Sequence, residues 1–141
     1  MKNTKILKPV ILKVKKIKNS NGTLIPLYFN KIDSFKPKRM FVVKGDKGFI
    51  RGQHAHKKCS QIILQIEGET EIVIINNQKY KFKLKSIQNK MLRIPPMNWV
   101  NITFKKNNSS FLVLCDVNFS KKEYIYNFKS FLKKLNSNVQ V

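Results

Sequence analysis

The sequence predicts an all-β fold, an antiparallel barrel or sandwich of about ten strands with one amphipathic helix at its C-terminal end. Three observations carry this. Short runs of β-branched and aromatic residues recur along the chain, with lysines in the alternate positions, as around Tyr80, Phe82 and Leu84. Turn signals separate the runs, among them Asn19-Ser20-Asn21-Gly22, Lys44-Gly45-Asp46-Lys47-Gly48 and Pro95-Pro96. From Ser120 the period changes, and Tyr124, Ile125, Phe128, Phe131, Leu132 and Leu135 follow helical spacing. At 141 residues and 42% hydrophobic content the chain is long enough for a real core and reads as a single domain, 1–141. Its β core is expected over about 10–119 and its helix over about 120–135.

Taken in order, residues 10–14 form a first strand, and the Asn-rich turn returns the chain into a strand over 23–29, where Pro26 marks an edge or a bulge. Residues 30–38 are polar, carry Pro37 and read as loop. Strands are expected at 39–43, 49–56, 61–67 and 70–75, with Gly68 ending the third of these. Asn76-Asn77 turns the chain into 78–84. A short strand at 90–94 leads into the two prolines, and 99–104 and 111–117 make the last pair across Lys105-Lys106-Asn107-Asn108. Ser120, with Glu123 three residues on, is the expected helix N-cap, and the helix closes the barrel.

The formal net charge of +22 invites a nucleic-acid reading. The distribution argues against it. Only three of the 29 basic residues are arginine, and the lysines run from Lys2 to Lys134 without a dominant patch. Asparagine and isoleucine are abundant too, a pattern of A- and T-rich coding more than of a selected surface. A nucleic-acid-binding module is the competing reading from another class; it requires lysines gathered on one face and salt-sensitive oligonucleotide binding. The expectation is no nucleic acid, but a positive field that draws in small anions. Because lysine serves almost everywhere, Arg39, Arg51 and Arg93 are the first places to seek a phosphate-bearing ligand, since only arginine offers a planar fork. A surface ion pair is the plain alternative for Arg39 and Arg93.

Cys59 and Cys115 sit in no metal or redox spacing, and Cys115 follows the apolar run Phe111-Leu112-Val113-Leu114 as a small buried hydrophobe. This fits a reducing, cytoplasmic setting. Lysine and proline interrupt the N-terminal apolar run too early for a signal peptide, and no stretch approaches the ~20 apolar residues of a spanning helix, so no membrane association is expected.

The chemistry concentrates in Arg51-Gly52-Gln53-His54-Ala55-His56-Lys57, which holds both histidines of the chain. At i and i+2 on a strand both imidazoles share a face, suited to proton transfer or metal binding. Gly48 precedes His54 by five intervening residues, four residues separate His56 from Gln61, and six more lead to Gly68. This spacing resembles the first cupin motif, with Gln61 where metal-binding cupins carry glutamate. Two histidines without a third are short of the three protein ligands of a catalytic metal. The expected fold is therefore a cupin-type jelly roll with acid/base chemistry and no metal or cofactor. A metal-dependent cupin stays open if another subunit or an oxygen ligand completes the site.

The string Arg-Gly-x-His-Ala-His-Lys with Gln61 and Gly68 resembles the sugar-nucleotide 3,4-ketoisomerases of the cupin superfamily. So do Arg39 on the preceding strand, the Pro96-x-x-Trp99 turn, and Glu123-Tyr124-Ile125 followed by Phe131; the likeness runs from Asn19 to Leu135. It implies a metal-free homodimer acting on dTDP-4-keto-6-deoxyglucose. The keto group moves from C4 to C3, supplying the 3-amino-3,6-dideoxy sugars of surface glycans such as O-antigen lipopolysaccharide. By this resemblance His54 and His56 are the proton-transfer pair. Arg51, Gln61, Arg39, Lys57, Arg93 and Trp99 are the candidates for holding substrate, with a purely structural role the equal alternative for Trp99. The chain departs from the family pattern at Asn21, at Phe41 and Val42, at Val100, and at Val117-Asn118-Phe119. Tyr28, Tyr80, Tyr124 and Asn101 are the candidates to replace the polar groups lost. The alternative within the same superfamily is a protein that epimerises a sugar nucleotide or only binds it.

Overall fold

Alternation of apolar and polar residues along short strands produces two facing antiparallel sheets in the computed structural model, which describes residues 5–86 and 88–137. The strands are β1 (Val10–Lys13), β2 (Ile17–Asn19), β3 (Gly22–Leu24), β4 (Arg39–Gly45), β5 (Ile50–His56) and β6 (Gln61–Glu67). They continue as β7 (Glu69–Ile75), β8 (Lys79–Lys85), β9 (Lys90–Ile94), β10 (Trp99–Phe104), β11 (Ser109–Cys115) and β12 (Tyr124–Ile125), and one helix, α1 (Phe128–Ser137), follows. One sheet has the order β1-β9-β6-β11-β4 and the other β12-β5-β10-β7-β8, with β2 and β3 as a separate hairpin. This is the expected jelly roll. No helix among the described residues is long and apolar enough to cross a membrane.

The space between the sheets is filled by side chains from both, including Ile63, Leu92, Phe111 and Val113 from one and Ile72, Ile74, Val100 and Ile102 from the other. Phe104 and Phe111 stack across this core with centroids 5.7 Å apart. Each such side chain, once fully buried, contributes about 1.5–3 kcal/mol. Two further apolar layers cover the outer faces. Ile25, Leu27, Ile32 and Phe35 lie over Ile62, Leu64, Met91 and Leu114 of the first sheet. Phe131 and Leu135 of α1 lie over Ala55, Trp99 and Ile125 of the second. Because β6 is covered on both sides, Gln61 through Gln65 are all buried, and its apolar run is continuous rather than alternating. Gly68 links the sheets with φ 72°, and a Cβ there would fall 2.1 Å from Ser109 Oγ, so the second motif glycine is required twice over.

Four expectations are corrected. The strand over 23–29 stops at Leu24; Pro26 has no N–H to continue a ladder, and the chain leaves to form the outer cover and a 3₁₀ turn at Phe29–Lys31. An additional strand, Ile17–Asn19, precedes the Asn-rich turn and pairs with Gly22–Leu24. The helix over 120–135 is also shorter at its start. Lys121–Glu123 is a 3₁₀ turn, Ser120 makes no side-chain cap, and Tyr124–Ile125 is a strand paired with His56 and Ala55. The helix cap is Asn127, whose Oδ1 accepts the Ser130 N–H at 2.9 Å. The helix packs on the outside of the second sheet instead of closing the barrel. The ends of the expected domain, residues 1–4 and 138–141, lie outside the described residues.

Candidate active site

The site is built on an irregularity in β5. Opposite β10, Ile102 pairs with Arg51 and Asn101 with Gly52, but Val100 pairs with His54, so Gln53 is one residue extra. Gly52 and Gln53 take φ of 81° and 56° to accommodate the bulge. A Cβ on Gly52 would sit 2.6 Å from the Val100 carbonyl oxygen. The bulge changes which side chains share a face. Val100 and Ile102 point into the barrel, so Arg51 and His54, three residues apart, both point inward with them. In a regular strand they would point to opposite sides.

A cavity of about 620 Å³ opens on this face, lined by Arg51, His54, Gln61 and Tyr124 among apolar walls that include Phe41, Val43, Val100, Ile102 and Phe111. The Gly52 carbonyl lies 2.9 Å from His54 Nδ1. A carbonyl only accepts, so Nδ1 carries the proton and Nε2 keeps its lone pair free. His56 lies behind, 5% exposed, its ring edge-on to His54 at 5.0 Å, and neither of its nitrogens has a hydrogen-bond partner among the described residues. Tyr124, opposite His56 in β12, packs against both imidazoles with centroids 4.4 Å from His56 and 5.0 Å from His54. Tyr126 stacks parallel on Tyr124 at 5.4 Å.

Burial sets the charge state. It lowers the pKa of His54, against an opposing contribution from the Gly52 hydrogen bond. Burial, then repulsion from His54 and Arg39, pushes His56 down to about 3. Both rings are therefore neutral at neutral pH, the form that accepts a proton. Among the described residues no group of three or more His, Cys, Asp or Glu is gathered to hold a metal ion.

The other expected substrate residues divide. Gln61 is buried, lines the cavity, and donates Nε2–H toward Cys115 Sγ at 3.5 Å. Arg39 does not line the cavity. Its guanidinium lies between the rings of Phe41 and Phe119, and Nη2 donates to the Tyr124 hydroxyl at 3.0 Å. Arg93 faces the outer cover of the first sheet, donating to the Asp33 carbonyl oxygen at 2.6 Å. Lys57 is exposed and lines no part of the cavity. Trp99 is buried against Phe128 and Phe131 and anchors α1. Of the positions departing from the family pattern, Phe41 and Val100 turn toward the cavity, the Val42 side chain is exposed on the outer face of β4, and Asn21 sits in the exposed β2–β3 turn. Tyr124 alone of the four candidate replacements lines it. Glu123 was not foreseen as a site residue. Its Oε1 accepts the backbone N–H groups of Lys58 and Cys59, the latter at 2.6 Å, and so ties the turn after His56 to the strand that carries Tyr124.

Comparison with known proteins agrees with this arrangement. Residues 7–136 match the family described as FdtA: WxcM-like, C-terminal. The chain is 26% identical over 130 residues to the TDP-4-oxo-6-deoxy-alpha-D-glucose-3,4-oxoisomerase of Aneurinibacillus thermoaerophilus, covering 89% of this chain and 94% of that protein. It is 30% identical to the solved structure of WlaRA, a TDP-fucose-3,4-ketoisomerase of Campylobacter jejuni, with a TM-score of 0.84 over 95% of this chain and all of that one (100%). QdtA, a sugar 3,4-ketoisomerase of Thermoanaerobacterium thermosaccharolyticum solved with TDP, shares the fold at 23% identity, with a TM-score of 0.86 and 94% and 97% of the two chains covered. The chain belongs to the FdtA (WxcM-like, C-terminal) family.

Proposed function

We propose that the protein is a sugar-nucleotide 3,4-ketoisomerase that converts dTDP-4-keto-6-deoxyglucose to a dTDP-3-keto-6-deoxyhexose. The observation that carries the reading is the bulge at Gly52-Gln53, which sets a neutral imidazole with a free Nε2 lone pair beside a guanidinium inside one cavity. The cavity volume of about 620 Å³ suits a sugar with part of its nucleotide.

The chemistry follows from the ketone. The C3 proton is acidified because its loss gives an enediolate spread over C3, C4 and both oxygens. His54 Nε2 takes that proton as general base. The resulting imidazolium is acidic for its kind, because burial disfavours its charge, and it readily returns a proton at C4. The hydroxyl proton passes from the C3 oxygen to the C4 oxygen of the enediolate, so that C3 becomes the ketone and C4 the alcohol. Arg51 supplies positive charge at the cavity for the enediolate and the diphosphate. His56 and Tyr124 form the wall that orients His54. The same reading takes the chain as one cupin domain in the cytoplasm, supplying 3-amino-3,6-dideoxy sugars for surface glycans.

A homodimer belongs to the proposal. β1 is an edge strand, paired on one side with β9 of its own chain and open on the other, and the outer face of edge strand β4 leaves Met40 and Val42 exposed. Light scattering of the purified protein tests it.

The test of function is proton NMR of dTDP-4-keto-6-deoxyglucose with the protein in deuterium oxide. Loss of the C3 proton with appearance of a 3-keto sugar supports the reading, and His54→Asn abolishes both. Binding without exchange or product refutes turnover and leaves a sugar-nucleotide-binding cupin.

A further inference from the structure

Cys115 ends β11 fully buried, and two side-chain donors converge on its sulfur. Arg39 Nη2 lies 3.7 Å away and Gln61 Nε2 lies 3.5 Å away, while the neighbouring Cys59 thiol donates to the Ser60 carbonyl oxygen at 3.4 Å. A neutral thiol is a weak acceptor, whereas a thiolate is a strong one. Arg39 also lacks the usual partner for a guanidinium. Among the described residues its hydrogen bonds go to Tyr124 and Cys115, it forms no ion pair with a carboxylate, and its Nε is buried without a partner. A partly buried cation of this kind calls for a counter-charge.

The groups around the sulfur are few. Arg39 faces it from β4, Gln61 from β6, Cys59 from the turn before β6, and Tyr124 lies beyond Arg39 from β12. Asp116, the next residue, has its carboxylate engaged by the Ser60 N–H at 2.8 Å.

We propose that Cys115 is held as a thiolate paired with Arg39, and that this pair is a positioning device for the isomerisation. The sulfur fixes Arg39, Arg39 fixes the Tyr124 hydroxyl, and Tyr124 walls both imidazoles. The adjacent Cys59 thiol, then the hydrogen bonds from Gln61 and Arg39, lower the Cys115 pKa against the opposing effect of burial, while the Cys59 thiol is pushed up. The consequence for turnover rests on the ketoisomerase reading; the ion pair does not.

The experiment is a pH titration of thiolate ultraviolet absorbance in the folded wild-type protein and in Cys115→Ser, Cys59→Ser and Arg39→Met, with kcat and KM measured in parallel. One thiolate should titrate below the ordinary thiol value of ~8.5, disappear in Cys115→Ser, persist in Cys59→Ser, and move upward in Arg39→Met. Cys115→Ser should lower kcat about tenfold with KM within about twofold, the mark of lost alignment. A wild-type protein without a low-titrating thiolate overturns the ion pair, and so does a step that survives Cys115→Ser. A thiolate whose removal leaves kcat unchanged overturns the positioning role. Should Cys115→Ser fail to fold, the wild-type and Arg39→Met titrations still decide the ion pair. Should the wild type turn over no 4-keto sugar, the ketoisomerase reading fails and the titration stands by itself.

Discussion

Acidification should stress the fold through His56. The ring is 5% exposed, neither nitrogen has a partner among the described residues, and burial followed by repulsion from His54 and Arg39 holds its pKa down to about 3, from an ordinary 6.5. Above 6.5 the folded and unfolded chains bind protons equally at this site. Between 6.5 and about 3 the unfolded chain takes up a proton that the folded one refuses, so stability falls as pH falls. The slope is about 1.4 kcal/mol per pH unit, which amounts to about 2 kcal/mol between about pH 7 and about pH 5. Urea unfolding across this range gives the stability of the wild type and of His56→Gln at each pH. The wild type should lose about 2 kcal/mol more than the variant over the interval. Parallel curves would refute the reasoning, because they would mean that His56 accepts a proton in the folded state and therefore has a partner or access to water.

Other outcomes follow from the same geometry. The acid limb of kcat/KM should lie below the ordinary imidazole value of 6.5, because burial lowers the His54 pKa; a limb at or above 6.5 would remove His54 as the base. Gly52→Ala should cost more than ~2 kcal/mol by thermal unfolding and abolish isomerisation, since it combines a positive φ with a Cβ placed 2.6 Å from the Val100 oxygen. Wild-type stability and activity in this variant would show that the bulge is dispensable. Glu123→Ala should lower stability by about 2 kcal/mol and Glu123→Gln by less, because Gln keeps an oxygen for the Lys58 and Cys59 N–H groups. Equal losses would mean that the negative charge, not the acceptor, matters. With a net charge of +22, KM for a sugar diphosphate should rise with salt while kcat holds; a salt-independent KM would show that the surface field plays no part in capture.

Most of the barrel was legible because its strands obey local rules. Alternation identified β7 and β8, and glycine and asparagine turns bounded them. What escaped depended on contacts between distant residues. The strand of Tyr124 and Ile125 was read as helix because its apolar residues also fit a helical period, yet Tyr-Ile-Tyr alternates just as well, and pairing with His56 and Ala55 decided between them. The segment after Leu24 was read as strand for its apolar content, which instead serves the outer face of the first sheet. In the site, the shared face of His54 and His56 follows from their spacing alone. The inward turn of Arg51 does not, because a two-residue period places it opposite His54 and only the extra residue at Gln53 reverses that. Arginine scarcity pointed at three candidates but not at their different duties. Arg51 lines the cavity, Arg39 holds Tyr124, and Arg93 pins the outer cover.

Those duties separate two needs that conflict in a chain this basic. Capturing a sugar diphosphate calls for positive potential, which exposed lysines provide over the surface and Arg51 at the cavity. Abstracting a proton calls for an uncharged imidazole, which a strong positive field helps to maintain by making imidazolium less favourable. The charge of Arg39 has that effect on His56, in the same direction as burial. Lysine-rich composition and neutral histidines are thus compatible parts of one site: burial keeps both imidazoles in their deprotonated form, and the charge of Arg39 works in the same direction at His56. Swapping exposed lysines for glutamate should then raise the acid limb of the pH–rate profile as well as KM, a coupling that a field used only for capture would not produce.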